Sequence, residues 1–115
     1  MHITNYTAIV QRQLDAYNRH DLPSFLDCYS QHIAVYRPSA TTASLSGKAA
    51  FAKFYATQRF NKPGLHAELL NRIVLGNKII DHERITGVYD QAIEFAVVYE
   101  ILEGLIQTVW TFGVE

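Results

Sequence analysis

Four side chains able to move protons or hold charge stand together at Asp81-His82-Glu83-Arg84, inside an otherwise apolar run from Ile79 to Ile85. Neighbours on a strand point to opposite faces, so Asp81 and Glu83 share one face and His82 and Arg84 the other. Ile79, Ile80 and Ile85 leave open which pair faces the interior. An inward His82 would offer a neutral imidazole as general base near pH 7. Inward Asp81 and Glu83 would place two carboxylates in an apolar hollow, where their repulsion raises one pKa. Either arrangement can do acid–base work. The plainer alternative makes the outward pair polar contacts across a dimer interface and the inward pair hydrogen-bonded structure.

The aromatic residues are the second chemical resource. With Tyr 7, Phe 6 and Trp 1, half of the rings carry a hydroxyl, which needs a partner when buried. Tyr17, Tyr36, Phe54, Tyr55, Tyr99 and Trp110 mark a candidate ligand pocket, with His66 at its mouth and Tyr99 placed to polarise a substrate oxygen. Phe54, Phe95 and Phe112 also fit ordinary core packing.

Other chemistries lack their residues. Cys28 is the single cysteine, which excludes an internal disulfide and a multi-cysteine zinc site and fits an inert buried thiol. His2, His20 and His32 fall in a terminus or turns, and no two histidines have a compact metal-ligand spacing, so no metal is expected. Gly47-Lys48 lacks the rest of a phosphate loop, and there is no Gly-x-Ser-x-Gly elbow. A formal charge of -1 without a basic cluster argues against nucleic acid. No apolar run reaches the roughly 20 residues of a membrane span. The first residues lack an export signal's blocks, so a cytoplasmic location is expected and the Asn5-Tyr6-Thr7 sequon is read as accidental.

These residues need elements to position them. A chain of 115 residues, 49% hydrophobic, suits one domain over residues 1–115. Tyr6, Ile9, Val10, Leu14 and Tyr17 have helical spacing, with Thr4 or Asn5 as N-cap, and Asn18-Arg19-His20 ends that helix. Asp21 caps a short second helix that tolerates Pro23 and carries Phe25, Leu26 and Tyr29. Ile33 to Arg37 reads as a strand stopped by Pro38, and Ser39 to Ser46 as a loop. A third helix runs from Lys48 to Phe60. Strands follow at Leu65 to Leu75, Lys78 to Thr86, Ile93 to Leu102 and Leu105 to Val114, with hairpin-type connections at Gly76-Asn77, Gly87 to Ala92 and Glu103-Gly104. The result is α+β, with three N-terminal helices on one face of a curved, mainly antiparallel sheet.

The chain resembles the nuclear transport factor 2-like superfamily, and within it the SnoaL-like, steroid delta-isomerase-like group. The resembling residues are Val10-Gln11-Arg12, Ala16 to Leu22, Phe25 to Ser30, Val35-Tyr36, Ser46 to Phe51 and Phe54-Tyr55. They continue through Leu65 to Glu68, Asp81 to Gly87, Val98 to Glu100 and Ile106 to Trp110, so nearly the whole chain is covered. The resemblance implies a cone-shaped, cystatin-like barrel with an apolar pocket at its open end, and a homodimer formed through the sheet's outer face. The superfamily hosts many activities, so it implies a fold more sharply than a reaction.

A ketosteroid isomerase uses a carboxylate base and an oxyanion hole of Tyr and protonated Asp. In this chain the family's first-helix Tyr position holds Gln13. The position of the base, directly before Pro38, holds Arg37, and the second donor falls near Tyr99. Arginine stays protonated and cannot act as a base, so steroid isomerisation by that route is not expected. The expectation is a cofactor-independent isomerase, cyclase or hydratase acting on a small apolar or weakly polar organic molecule. His82 with Asp81 or Glu83 would move the proton. The alternative is a non-catalytic ligand-binding or dimerisation domain.

Overall fold

The computed structural model describes residues 5–113; the expectations for His2, Thr4 and Val114 lie outside the described residues. The elements are α1 (Tyr6–Asn18), α2 (Leu22–Leu26), β1 (Tyr29–Tyr36), β2 (Leu45–Ser46), α3 (Lys48–Gln58), β3 (His66–Leu75), β4 (Lys78–Thr86), β5 (Ile93–Leu102) and β6 (Leu105–Gly113). Side-chain oxygens start the first two helices: Asn5 accepts from the Ala8 N–H at 3.2 Å and Asp21 from that of Ser24 at 3.1 Å. No helix among the described residues is long and apolar enough to cross a membrane.

The sheet is curved and unclosed, in the order β2-β1-β6-β5-β4-β3, with only β1 and β6 parallel. The helices cover its inner face, and the core runs from Val10, Leu14 and Tyr17 through Phe25 and Phe51 to Ile79, Tyr99 and Ile106. Phe25 is the hub, with ring centroids 5.8 Å from Tyr17, 5.0 Å from Tyr29, 5.9 Å from Phe51 and 4.9 Å from Tyr55. Rings at such separations add to the stabilisation from burial alone.

Three sequence boundaries change. Tyr29 does not end the second helix but opens β1, where it pairs with Ile106 of β6 ahead of a bulge. The stretch expected to be loop up to Ser46 ends in β2, because Leu45 and Ser46 pair with Val35 and Ala34. The third helix stops at Gln58, since the Arg59 and Phe60 N–H groups both turn back to the Tyr55 carbonyl.

Two contacts fix the chain at the sheet's far edge. Asn18, ending α1, gives Ala67 of β3 the bonds a neighbouring strand would give: it donates to the Ala67 carbonyl at 2.8 Å and accepts from its N–H at 2.7 Å. Gly87, at φ +82, packs against Gly64, and a β-carbon there would overlap the Gly64 carbonyl. Gly76 has φ +59 but open space around it. We therefore expect Gly87→Ala to cost about 2–4 kcal/mol of stability against urea, and Gly76→Ala only about 1 kcal/mol. Equal losses would mean that the Gly64–Gly87 approach does not constrain the fold.

Candidate functional site

Strand β4 lies between β3 and β5, and its burial alternates without a break. Ile79, Asp81, Glu83 and Ile85 face inward, while Ile80, His82 and Arg84 face outward. Both carboxyl groups are therefore enclosed, Asp81 at 0% exposure and Glu83 at 5%. The structure separates their environments. Arg72, opposite Asp81 on β3, donates to it from Nε at 2.7 Å and from Nη2 at 2.9 Å, and a third donor reaches Gln11 Oε1 at 2.8 Å. Asp81 is thus a buried carboxylate with a bidentate counter-ion.

Glu83 has no such partner. Its Oε2 accepts from the Tyr99 hydroxyl at 3.4 Å, long for an O–H···O bond and too weak to offset the loss of water. Its Oε1 has no hydrogen-bond partner among the described residues and is not sealed off, which leaves it open to the space in front of it. Burial first, and the Asp81 charge second, push the Glu83 pKa up from 4.5 to about 7. Both protonation states are then populated at neutral pH.

That space is a cavity of about 280 Å³ between the sheet's inner face and the helices. Behind Glu83 runs a hydrogen-bonded chain. Tyr29 Oη donates to Gln13 Oε1 at 2.8 Å, and Gln13 Nε2 donates to the Val10 carbonyl at 3.0 Å and to Tyr99 Oη at 3.3 Å. Gln13 accordingly fixes the direction in which Tyr99 presents its proton. Tyr17 and Tyr55 line the cavity with hydroxyls that lack a protein acceptor among the described residues. Burial raises the Tyr17 phenol well above its usual range and the Tyr55 phenol to about 12, so both remain neutral donors.

Of the residues expected at the site, Glu83, Tyr99, Tyr17, Phe54 and Tyr55 line this cavity. Asp81 sits on the same face but is engaged by Arg72 and does not reach the wall. His82 does not face the cavity. It lies on the outer sheet face with Nε2 at 2.6 Å from Glu94 Oε1. Tyr36 and Trp110 are also corrected: they are register partners on the outer face, stacked on each other with centroids 6.3 Å apart. His66 is exposed, because Ala67 takes the inward position at the start of β3.

The sequence reading did not place Tyr29, Arg37 or Arg59 in the pocket. Tyr29 is hidden by its assignment to the second helix, and Arg59 by its assignment to the third, which ends one residue before it. Gln13 did carry a signal, as one amide in the apolar stripe Val10, Leu14, Tyr17. The three positions that would hold isomerase residues, Gln13, Arg37 and Tyr99, all line the cavity. Among the described residues no three His, Cys, Asp or Glu side chains converge as metal ligands would.

The sequence profile of a SnoaL-like domain matches residues 10–109. Solved structures with the same fold include an uncharacterised cystatin-fold protein from Novosphingobium aromaticivorans, 15% identical, with a TM-score of 0.84 over 96% of this chain and 99% of that one. Another is the Delta 5-3-ketosteroid isomerase from a Mycobacterium species, 16% identical, TM-score 0.81, covering 96% of this chain and 93% of that one. A putative ketosteroid isomerase from Kribbella flavida is 19% identical, TM-score 0.80, covering 96% and 78%. At these identities the likeness is one of fold. No curated protein matches the chain.

The raised pKa of Glu83 makes stability depend on pH. The folded protein holds a proton that the unfolded chain releases above pH 4.5, so this contribution is complete below 4.5 and is lost as pH rises through about 7. Relative to Glu83→Gln, which does not titrate, the native chain should lose about 3 kcal/mol between pH 4.5 and 8. Urea unfolding of both chains at the two pH values measures this, and parallel curves would show that Glu83 ionises normally.

Proposed function

This chain belongs to the SnoaL-like domain family, and from that premise we propose that its cavity binds a small organic molecule with an apolar body and moves a proton on it without a cofactor. The observation that carries the reading is Glu83: a carboxyl group at the floor of the cavity, one oxygen held by Tyr99 and the other open, with a pKa near 7. A group with that pKa can accept and return a proton at neutral pH with little driving force wasted in either direction.

In this reading Glu83 takes a proton from carbon or water and delivers it elsewhere on the same ligand, the step common to isomerisation, hydration and cyclisation. Tyr99 holds Glu83 and is itself oriented by Gln13. The hydroxyls free to polarise a ligand oxygen are then those of Tyr17 and Tyr55 rather than that of Tyr99. Arg37 occupies the position of an isomerase base but is a fixed cation, so the base function passes from the end of β1 to the middle of β4. His82 has no part in the chemistry.

A second reading, binding without turnover, draws on the same geometry, since Glu83 already has a partner in Tyr99. A panel of unsaturated ketones, epoxides and hydroxy-carbonyl compounds separates the two. Turnover should rise with pH through about 7 where Glu83 acts as base. It should fall about 10²-fold or more in Glu83→Gln and stay unchanged in His82→Ala. Binding with no turnover across the panel would favour the second reading, and full activity in Glu83→Gln would end the first.

We also propose that the outer sheet face forms a homodimer. Ile80, Val98 and Trp110 are aligned across β4, β5 and β6 as an apolar strip there, with Ala96 two residues along β5 on the same face. Light scattering at micromolar concentration should give twice the 13.1 kDa chain mass, with Val98→Glu reducing it to one. A monomeric native chain would refute the dimer.

A further inference from the structure

We infer, resting on the cavity reading above, that the ligand is an organic carboxylate with a compact ring body, its anionic end held by Arg37 and Arg59. Both arginines line the cavity, although neither belongs to the apolar core. Arg37 follows β1, where alternation continues from inward Val35 through outward Tyr36, and Arg59 closes α3.

Neither guanidinium has a carboxylate partner. The ion pairs among the described residues are Arg19–Asp21, Arg72–Asp81, Lys78–Glu100, His82–Glu94 and Arg84–Glu68. Of their N–H donors, one from Arg59 Nη1 reaches a protein carbonyl, that of Gln58 at 2.9 Å, and the Arg59 guanidinium also bonds the neutral Tyr17 hydroxyl. Arg59 is steadied over the Phe54 ring at 5.2 Å and the Tyr89 ring at 5.8 Å, which fixes its place without neutralising it. Both arginines line the cavity that Tyr55 lines, and both charges act on its phenol, Arg59 more than Arg37.

The single acidic side chain in the lining is Glu83, buried at the floor, while Arg37 is exposed and Arg59 half-buried. The cavity is therefore positive at its solvent side, on a chain whose formal net charge is -1. An anion enters with its charge toward the arginines and away from the Glu83 carboxyl, and with its body toward Phe25, Phe51 and Phe95. Paired arginines suit a carboxylate, whose two oxygens match the guanidinium fork. Since a cavity of roughly 150 Å³ takes benzene, one of about 280 Å³ suits a body of two fused rings.

The test is calorimetric titration with 2-naphthoate and its neutral isostere 2-naphthamide. The acid should bind about tenfold tighter or more than the amide. Arg37→Gln and Arg59→Gln should each remove most of that preference and leave the amide within about twofold, whereas Arg59→Lys, which keeps the charge, should retain part of it. Because Arg59 also packs on two rings, melting temperatures of Arg59→Gln and Arg59→Lys control for a loss of fold. Equal affinity for acid and amide, or a preference that survives the double Arg→Gln change, overturns the anionic ligand but leaves the cavity reading standing. Failure of both probes to bind overturns both.

Discussion

Two carboxyl groups two residues apart on the buried side of β4 cannot both be ionised without a large cost, and the site is organised around that conflict. Arg72 sides with Asp81. Its bidentate bond gives Asp81 a counter-ion, while Glu83, stripped of water by burial and then repelled by Asp81, retains its proton to higher pH. Had Arg72 reached both groups, Glu83 would be an ordinary salt-bridged carboxylate with no reason to exchange protons at neutrality. The ion pair lines none of the cavity, and its two charges act on the Glu83 pKa in opposite directions, Asp81 raising it and Arg72 lowering it, beneath the larger effect of burial.

This arrangement requires the helical layer to stay on the sheet. Glu83 is desolvated because α1 covers β4, and α1 is held there by the Asn18–Ala67 bonds and by Gln13, whose amide joins Val10, Tyr29 and Tyr99. The Tyr29–Gln13–Tyr99–Glu83 chain links α1, β1, β5 and β4 through side chains alone. A buried network of this kind is favourable only when its members are satisfied together. Its one open valence, Glu83 Oε1, points at the cavity.

Elements were more legible in the sequence than faces. Caps at Asn5 and Asp21 and the turns at Gly76-Asn77 and Glu103-Gly104 are local signals, and three helices and four late strands are placed within a few residues. Tyr29 misled because its ring packs on Phe25 like a helical neighbour while its backbone already pairs with Ile106. The face of β4 was not legible. Ile79 and Ile85 are core, but Ile80 lies on an outer face that is itself partly apolar, so alternation gave no polar side to read. The same outer strip holds Tyr36 and Trp110, which satisfy each other by stacking and so had the composition of a pocket without its location.

The cavity also shows why a fold shared with isomerases does not settle the reaction. Gln13, Arg37 and Tyr99 line the same hollow, and none of the three is a carboxylate. A carboxylate before Pro38 would sit near the solvent side; Glu83 sits at the floor. The hollow therefore has two cations, Arg37 and Arg59, toward solvent and one carboxyl group, Glu83, at depth. In the proposed reading a ligand enters with its body leading toward Glu83 and its polar end trailing, so the atom that exchanges a proton lies on that body. Tyr17 and Tyr55, kept neutral by burial, can hydrogen-bond a nearby oxygen without adding charge. The surplus of tyrosine is the consequence: where an apolar wall must carry donors, the phenol supplies them at the smallest desolvation cost.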